Sequence, residues 1–240
     1  MSVFSPSGGL VYHLRALRHR AGSWAPFRQA IEAWLGAALE GPGELVLVGP
    51  SAGHCLPEAV LARFDSVLAL EPDPLARWLL RRRLPQRDVA LEPRDLLVGP
   101  LLRGDEGLPE LLRQRPSATV LFCNLLGQLH FVLSERQQTE FQEAFRARLL
   151  PALAGRRWAS FHDRWSLDRS AREPSPVMRS FTSQPDADTL ARAWFGAHGP
   201  AVEVLDHATT ELFPREWPRR YFSWQITPTA LHVVEGVSAG

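Results

Sequence analysis

The fold is decided between Glu44 and Pro74, in ELVLVGPSAGHCLPEAVLARFDSVLALEPDP. An apolar run from Leu45 to Val48 ends at Gly49, and Gly49-Pro50-Ser51-Ala52-Gly53 is a turn of small residues that lets backbone fold tightly and approach a ligand closely. A helical stretch follows, then a second apolar run, Val67 to Leu70, that stops at Glu71. A carboxylate there is placed to accept hydrogen bonds from both hydroxyls of a ribose. Strand, tight turn, helix, strand, acid is the order of a nucleotide-binding crevice.

The pattern repeats along the chain. Pro72-Asp73-Pro74 ends the second strand and starts a helix to about Arg83, with Pro74 suited to its first turn. Val89 to Glu92 is a short third strand ending near Asp95. Leu108 to Gln114 is a helix, and Ala118 to Phe122 is an apolar fourth strand leading into Cys123-Asn124-Leu125-Leu126-Gly127-Gln128. Ser134 caps a helix to Leu150, and Arg157 to Phe161 is a fifth strand that delivers His162 and Asp163. Strands separated by helices of this length imply a doubly wound, mostly parallel α/β sheet with helices on both faces and ligands at the carboxyl ends of its strands. That rim collects Gly49 to Gly53, Glu71, Asp95, Asn124 and His162. The tail runs differently. After a helix from Ala187 to Ala197 come strands at 202–206, 221–227 and 231–234, which predict an antiparallel C-terminal edge.

Upstream, Leu10 to Arg20 and Trp24 to Leu39 have helical spacing, the second through Phe27, Ile31, Trp34, Leu35 and Ala38. Residues 1–43 are thus an N-terminal helical cap and 44–240 one domain. At 240 residues and 45% hydrophobic the chain buries one sizeable core. Lys+Arg 27 against Asp+Glu 26, net charge +1, supplies no global field for nucleic acid or an anionic membrane. The cluster Arg77, Arg81, Arg82 and Arg83 reads as a solvated helix face. There is no lysine, Asn124 is the single asparagine, and Ile31 and Ile226 are the only isoleucines, a bias that makes arginine abundance uninformative and the asparagine conspicuous. Cys55 and Cys123 make no disulfide framework, no signal peptide opens the chain, and no apolar run approaches the ~20 residues of a membrane span, so a reducing cytoplasm is expected. No metal site is expected, since the cysteines and histidines have no ligand spacing of a known type.

At this point the chain resembles the class I, Rossmann-like, S-adenosylmethionine-dependent methyltransferases, whose sheet has seven strands with a parallel core and an antiparallel final hairpin. The resemblance covers residues 44–165 by motif and the remainder by element order. The family's first motif is an acidic residue, any residue, then Gly-x-Gly-x-Gly; here it is Leu47-Val48-Gly49-Pro50-Ser51-Ala52-Gly53, with Ser51 for the middle glycine and Leu47 where the acid stands. The resemblance implies S-adenosylmethionine as cofactor, bound by Gly49, Pro50, Ser51, Gly53, Glu71 at the ribose, Asp95 at the adenine, and Asn124. A sulfonium methyl is already activated, so the protein chiefly aligns the acceptor and removes water. His162 is the candidate base with Asp163 as its orienter, Asn124 and Gln128 face the acceptor, and Tyr12, Trp24, Trp165 and Phe181 line apolar walls. Without a second domain or strong charge, a small-molecule acceptor is expected. The acceptor atom and the oligomeric state are not legible.

The stretch 163–186 is long, polar and proline-bearing, hence either a substrate-specific lid or disordered, and its Arg164, Arg169, Arg172 and Arg179 would attract an acidic substrate. Three rivals remain. Gly49 to Gly53 also fits the Gly-x-Ser-x-Gly elbow of a serine hydrolase, with Ser51 as nucleophile and Asp206, His207 and His232 as partners, although Pro57 would break the helix that an elbow needs. A nicotinamide dehydrogenase would use the same crevice but lacks its Gly-x-Gly-x-x-Gly. A methyltransferase-shaped binding or assembly protein that no longer methylates would tolerate Leu47 and Ser51.

Overall fold

The computed structural model describes residues 9–85, 89–168, 177–196 and 203–239. Its centre is the expected parallel run of apolar strands. Five strands, β1 (Glu44–Val48), β2 (Ser66–Leu70), β3 (Val89–Glu92), β4 (Thr119–Cys123) and β5 (Trp158–Asp168), lie side by side in the order β3-β2-β1-β4-β5, all parallel. Three of them, β1, β2 and β4, are apolar on both faces, as strands covered on both sides must be. The tail supplies the antiparallel edge: β9 (Ala230–Ala239) pairs with β5, and β8 (Arg219–Thr227) pairs with β9.

The sheet has nine strands against the expected seven; the run at 178–181 was not expected as a strand, whereas the strand expected at 202–206 forms but pairs away from the other tail strands. β6 (Met178–Phe181) pairs with the outer side of β8, and β7 (Val204–Asp206) pairs with β5. The fifth strand is also longer than the sequence suggested. Trp158 to Phe161 pair with β4 or its flank, but the strand continues to Asp168, with Trp165 to Leu167 taken up by β7. Residues 163–168 are therefore sheet, not the start of a lid. Their polar composition hid a strand because β9 and β7 saturate its backbone on both sides. Arg169 and Arg172 lie outside the described residues.

Helices α1 (Leu10–His19) and α2 (Ala25–Ala38) cover one face of the sheet. Trp24, Phe27, Ile31 and Leu35 from this cap pack with Leu45 and Leu47 of β1, Phe161 of β5 and Phe222 and Trp224 of β8. Trp24 is fully buried, its indole N–H donating to the Ile226 carbonyl at 3.0 Å and its ring edge-on to Trp224, so it belongs to the core and not to a lid. Helix α4 (Pro74–Arg83), capped by the Asp73 carboxylate on the Leu75 amide, lies on this same face through Leu80. The opposite face carries α5 (Val98–Arg103), α6 (Leu108–Gln114) and α7 (Glu135–Ala144), which continues through a π-helical turn, Phe145–Leu149, into α8 (Leu150–Leu153). Ser134 caps α7 as expected, with Gln137 completing a capping box. A smaller cluster of Trp165, Leu190, Trp194, Tyr221 and Val233 seats α9 (Ala187–Phe195).

The connection from β1 to β2 departs most from expectation. Its only helix is α3 (Glu58–Leu61), a single turn that begins after Pro57. No helix follows the small-residue turn directly.

Candidate functional site

Leu70 and Val48 end side by side in the parallel register of β1 and β2, which puts Glu71 beside the turn that leaves β1. The Glu71 carboxylate accepts the Ser51 amide on Oε2 at 2.8 Å and the Asp73 amide on Oε1 at 3.0 Å. It is 6% exposed; burial pushes its pKa above the ordinary glutamate value, and those two amides hold it back. The turn keeps the geometry that glycines supply. Gly49, Ser51 and Gly53 have φ of 63°, 51° and 67°, so the serine at the middle position occupies the left-handed region that favours glycine. Close approach also uses these glycines: a Cβ on Gly49 would lie 2.7 Å from Leu125 Cβ, and one on Gly53 would lie 2.8 Å from Leu80 Cδ1. Leu47 points into the core beneath the cap.

Beside this turn, the turn after β4 forms a second centre. Asn124, the single asparagine, has φ 60°, a conformation that asparagine tolerates better than most residues. Its amide bonds Asp163 twice: Nδ2 donates to Asp163 Oδ2 at 3.0 Å, and Oδ1 accepts the Asp163 backbone N–H at 2.7 Å. Gln128 Nε2 donates to the same Oδ2 at 2.6 Å, and His232 Nδ1 approaches Oδ1 to 3.1 Å. Asp163 is almost wholly buried. Burial alone would raise its pKa, but the facing His232, then His207 and Asn124, hold it down to about 2. Gly127 must be glycine here, because a Cβ would stand 2.5 Å from the Asp163 nitrogen. His207 closes the group, with Nδ1 2.6 Å from the Gly127 carbonyl and Nε2 3.0 Å from Ser166 Oγ. Burial lowers the His207 pKa to about 4, leaving it neutral near pH 7.

His232 is the member of this centre that reaches a cavity. Ser166, Leu167, Asp168, Glu203, Leu205, Ala230 and His232 line a space of about 560 Å³ at the carboxyl end of β5. His232 and His207 entered the sequence reading only as partners for Ser51. What no local pattern could announce is that β9 runs antiparallel to β5 and returns His232 to the rim.

Four expected site residues stand elsewhere. His162 is fully buried and points to the face opposite Asp163, as neighbours in a strand must. Its Nδ1 lies 3.0 Å from Ser160 Oγ and its Nε2 3.6 Å from Glu235 Oε1. Glu235 also takes the Tyr221 hydroxyl at 2.6 Å and Arg219 Nε at 3.0 Å, so His162 belongs to a buried polar network that no acceptor reaches. Asp163 therefore orients His232 and not His162. Trp165 packs against α9 in the small cluster, and Phe181 joins it there through Tyr221. Asp95 spends its carboxylate on the amides of Leu97, Val98 and Gly99 at the start of α5, the role of a local cap. Tyr12, on α1, stands over the loop after the turn, its hydroxyl 3.9 Å from Cys55 Sγ.

The hydrolase geometry is not formed. Ser51 is followed by turns instead of a helix, and His207 and His232 are engaged with Gly127, Ser166 and Asp163.

No protein-family model and no curated protein matches the chain. Among solved structures it is similar to the N-methyltransferase NodS from Bradyrhizobium japonicum WM9 in complex with S-adenosyl-L-homocysteine, at 13% identity and TM-score 0.42, over 94% of this chain and 98% of that one. It is also similar to SAM-bound CalS10, an amino pentose methyltransferase from Micromonospora echinaspora, at 18% identity and TM-score 0.42, over 95% and 96%. A third is the sugar N-methyltransferase KedS8 from Streptoalloteichus sp ATCC 53650, at 16% identity and TM-score 0.40, over 100% and 76%. Scores of this size leave the functional reading to the chain's own residues. Among the described residues no helix is long and apolar enough to cross a membrane.

Proposed function

We propose that this chain is an S-adenosylmethionine-dependent methyltransferase acting on a small molecule. The observation that carries the reading is the Glu71 carboxylate, fixed at the end of β2 by the Ser51 amide of a turn whose three glycine-type positions all keep positive φ. An ionised carboxylate has about four acceptor directions. The amides of Ser51 and Asp73 use two, and two remain for the hydroxyls of a ribose. Gly49, Pro50, Ser51 and Gly53 would follow the adenosyl group from one side and Asn124 from the neighbouring turn.

The bound cofactor supplies a methyl group on a sulfonium, already activated for transfer. The chain's own part is to place an acceptor and handle its proton. The cavity beside His232 falls within the ~300–1,000 Å³ common for small-ligand sites. His232, held by Asp163, takes the part of base expected of His162, and Asn124 and Gln128 fix Asp163 in turn.

A second reading, a scaffold of this shape that binds no cofactor, draws on Leu47 and on the leucines that pack against Gly49 and Gly53. Titration of the full chain with S-adenosylmethionine separates the two. Binding in the micromolar range, about 8 kcal/mol, supports the methyltransferase. Absence of binding leaves the scaffold.

A further inference from the structure

A group of arginines and histidines on the cap side has fewer carboxylates than guanidinium groups among the described residues. His13 lies on α1 and Arg20, seven residues on, is its C-cap, about two turns away along the same side. Arg83 ends α4 and Arg28 lies in the first turns of α2. Between them is His54, in the loop from β1, with Nε2 3.3 Å from His13 Nδ1. Among the described residues the carboxylate ion-paired with these arginines is Glu58: its Oε1 is 3.6 Å from both Arg20 Nη2 and Arg83 Nη2, its side chain is 63% exposed, and the Asp73 charge acts on His13.

Other buried guanidinium groups of the chain have several partners each. Arg219 meets Glu235 and three carbonyl oxygens, and Arg156 donates to four. Here, among the described residues, the Nε atoms of Arg20, Arg28 and Arg83, Nη1 of Arg83 and Nε2 of His13 are buried without a partner, while Arg83 Nη2 donates to the Leu56 carbonyl at 3.1 Å. His13 is 3% exposed. Burial and mutual repulsion have the expected electrostatic effect. Burial first, then the Arg20 charge, lowers the Arg83 pKa to about 10, and burial first, then Arg83, lowers that of His54 to about 3. The Arg28 charge acts on Arg20, Arg83 and His54 alike. Half-buried charges with few partners are costly, and guanidinium forks match phosphate oxygens in pairs. Three guanidinium groups against one carboxylate leave two positive charges, the charge of one phosphate dianion.

We infer that Arg20, Arg28 and Arg83, with His13, form a binding site for a phosphate group beside the loop that follows the β1 turn. The ligand is inorganic phosphate or the phosphate of a small monoester. The site stands whether or not the chain transfers methyl groups.

The test is calorimetric titration of the full chain with inorganic phosphate, glycerol 3-phosphate and acetate, alongside thermal unfolding of the wild type and of the Arg28→Gln and Arg20→Gln variants. Phosphate is expected to bind and to raise the unfolding temperature. Each variant is expected to bind it roughly tenfold more weakly or worse, the usual loss for a charge-assisted contact. Without ligand the variants should unfold no earlier than the wild type, because each removes a repelling charge. Tighter binding of glycerol 3-phosphate identifies the monoester as the occupant, and equal or weaker binding identifies the free ion. The inference is overturned if phosphate does not bind, if acetate binds as tightly, or if both variants bind phosphate like the wild type.

Discussion

Glu71 Oε2 and the Ser51 amide nitrogen are 2.8 Å apart, and that contact joins the ends of two neighbouring strands into one polar floor. Twenty residues separate the partners in sequence, and the parallel register of β1 and β2 brings them together. The carboxylate aims at the turn in which the serine has taken a glycine's conformation. Because burial raises the Glu71 pKa, its ionised form, which accepts from ribose hydroxyls, is lost at a higher pH than for an ordinary glutamate. The contact holds the reading of function together more firmly than any other on the rim.

Asn124 combines two demands, a left-handed backbone and two hydrogen bonds to Asp163. Asn124→Ala should cost roughly 2 to 4 kcal/mol in urea unfolding, from the unpaired buried groups and the strained φ together. Asn124→Gly keeps the backbone relaxed and should cost about 1 kcal/mol less. Equal losses in the two variants would mean that φ is not strained there.

His162 and His232 should separate cleanly. His162→Leu breaks a buried network and should lower stability by about 1 to 3 kcal/mol while leaving affinity for S-adenosylhomocysteine unchanged. His232→Ala should bind S-adenosylhomocysteine like the wild type and slow transfer to a proton-bearing acceptor by roughly 10² to 10⁴. Reversed phenotypes would restore His162 as the base.

Stability should fall with mild acid. Burial lowers the pKa of His207 to about 4 and of His54 to about 3, while the unfolded chain protonates histidine near ~6.5. The unfolded state therefore binds more protons below ~6.5, and stability that is complete above that pH is lost as pH falls toward the folded values. Each histidine contributes roughly 2 kcal/mol of loss by pH ~5. Asp163, held at about 2, adds a separate loss between ~4 and about 2. Urea midpoints measured across this range check the sign; a midpoint flat down to pH ~5 would contradict buried neutral histidines.

Much of the fold was legible because β1, β2 and β4 are unbroken apolar runs bounded by turn residues, and because Pro74 and Ser134 announce helix starts by local chemistry. The far half of β5 was not, since residues 163–168 are mostly polar and owe their extension to partners more than 35 residues away. The same distance hid β6, a short strand that exists only as an addition to β8, and it hid the pairing of β7 with β5, although the strand at 202–206 itself was read. In the site, Glu71, Asn124 and Asp163 could be found one strand end at a time. Strand alternation, which sends His162 and Asp163 to opposite faces, would have predicted that the two cannot cooperate. His232 required knowing the order of the tail strands.

The most direct measurement is the affinity of the full chain and of Glu71→Ala for S-adenosylhomocysteine by titration calorimetry. Micromolar binding by the wild type, weakened by roughly 1.5 to 3 kcal/mol in the variant, is expected if Glu71 holds the ribose. Equal affinity in the two proteins, or no binding by the wild type, would contradict it.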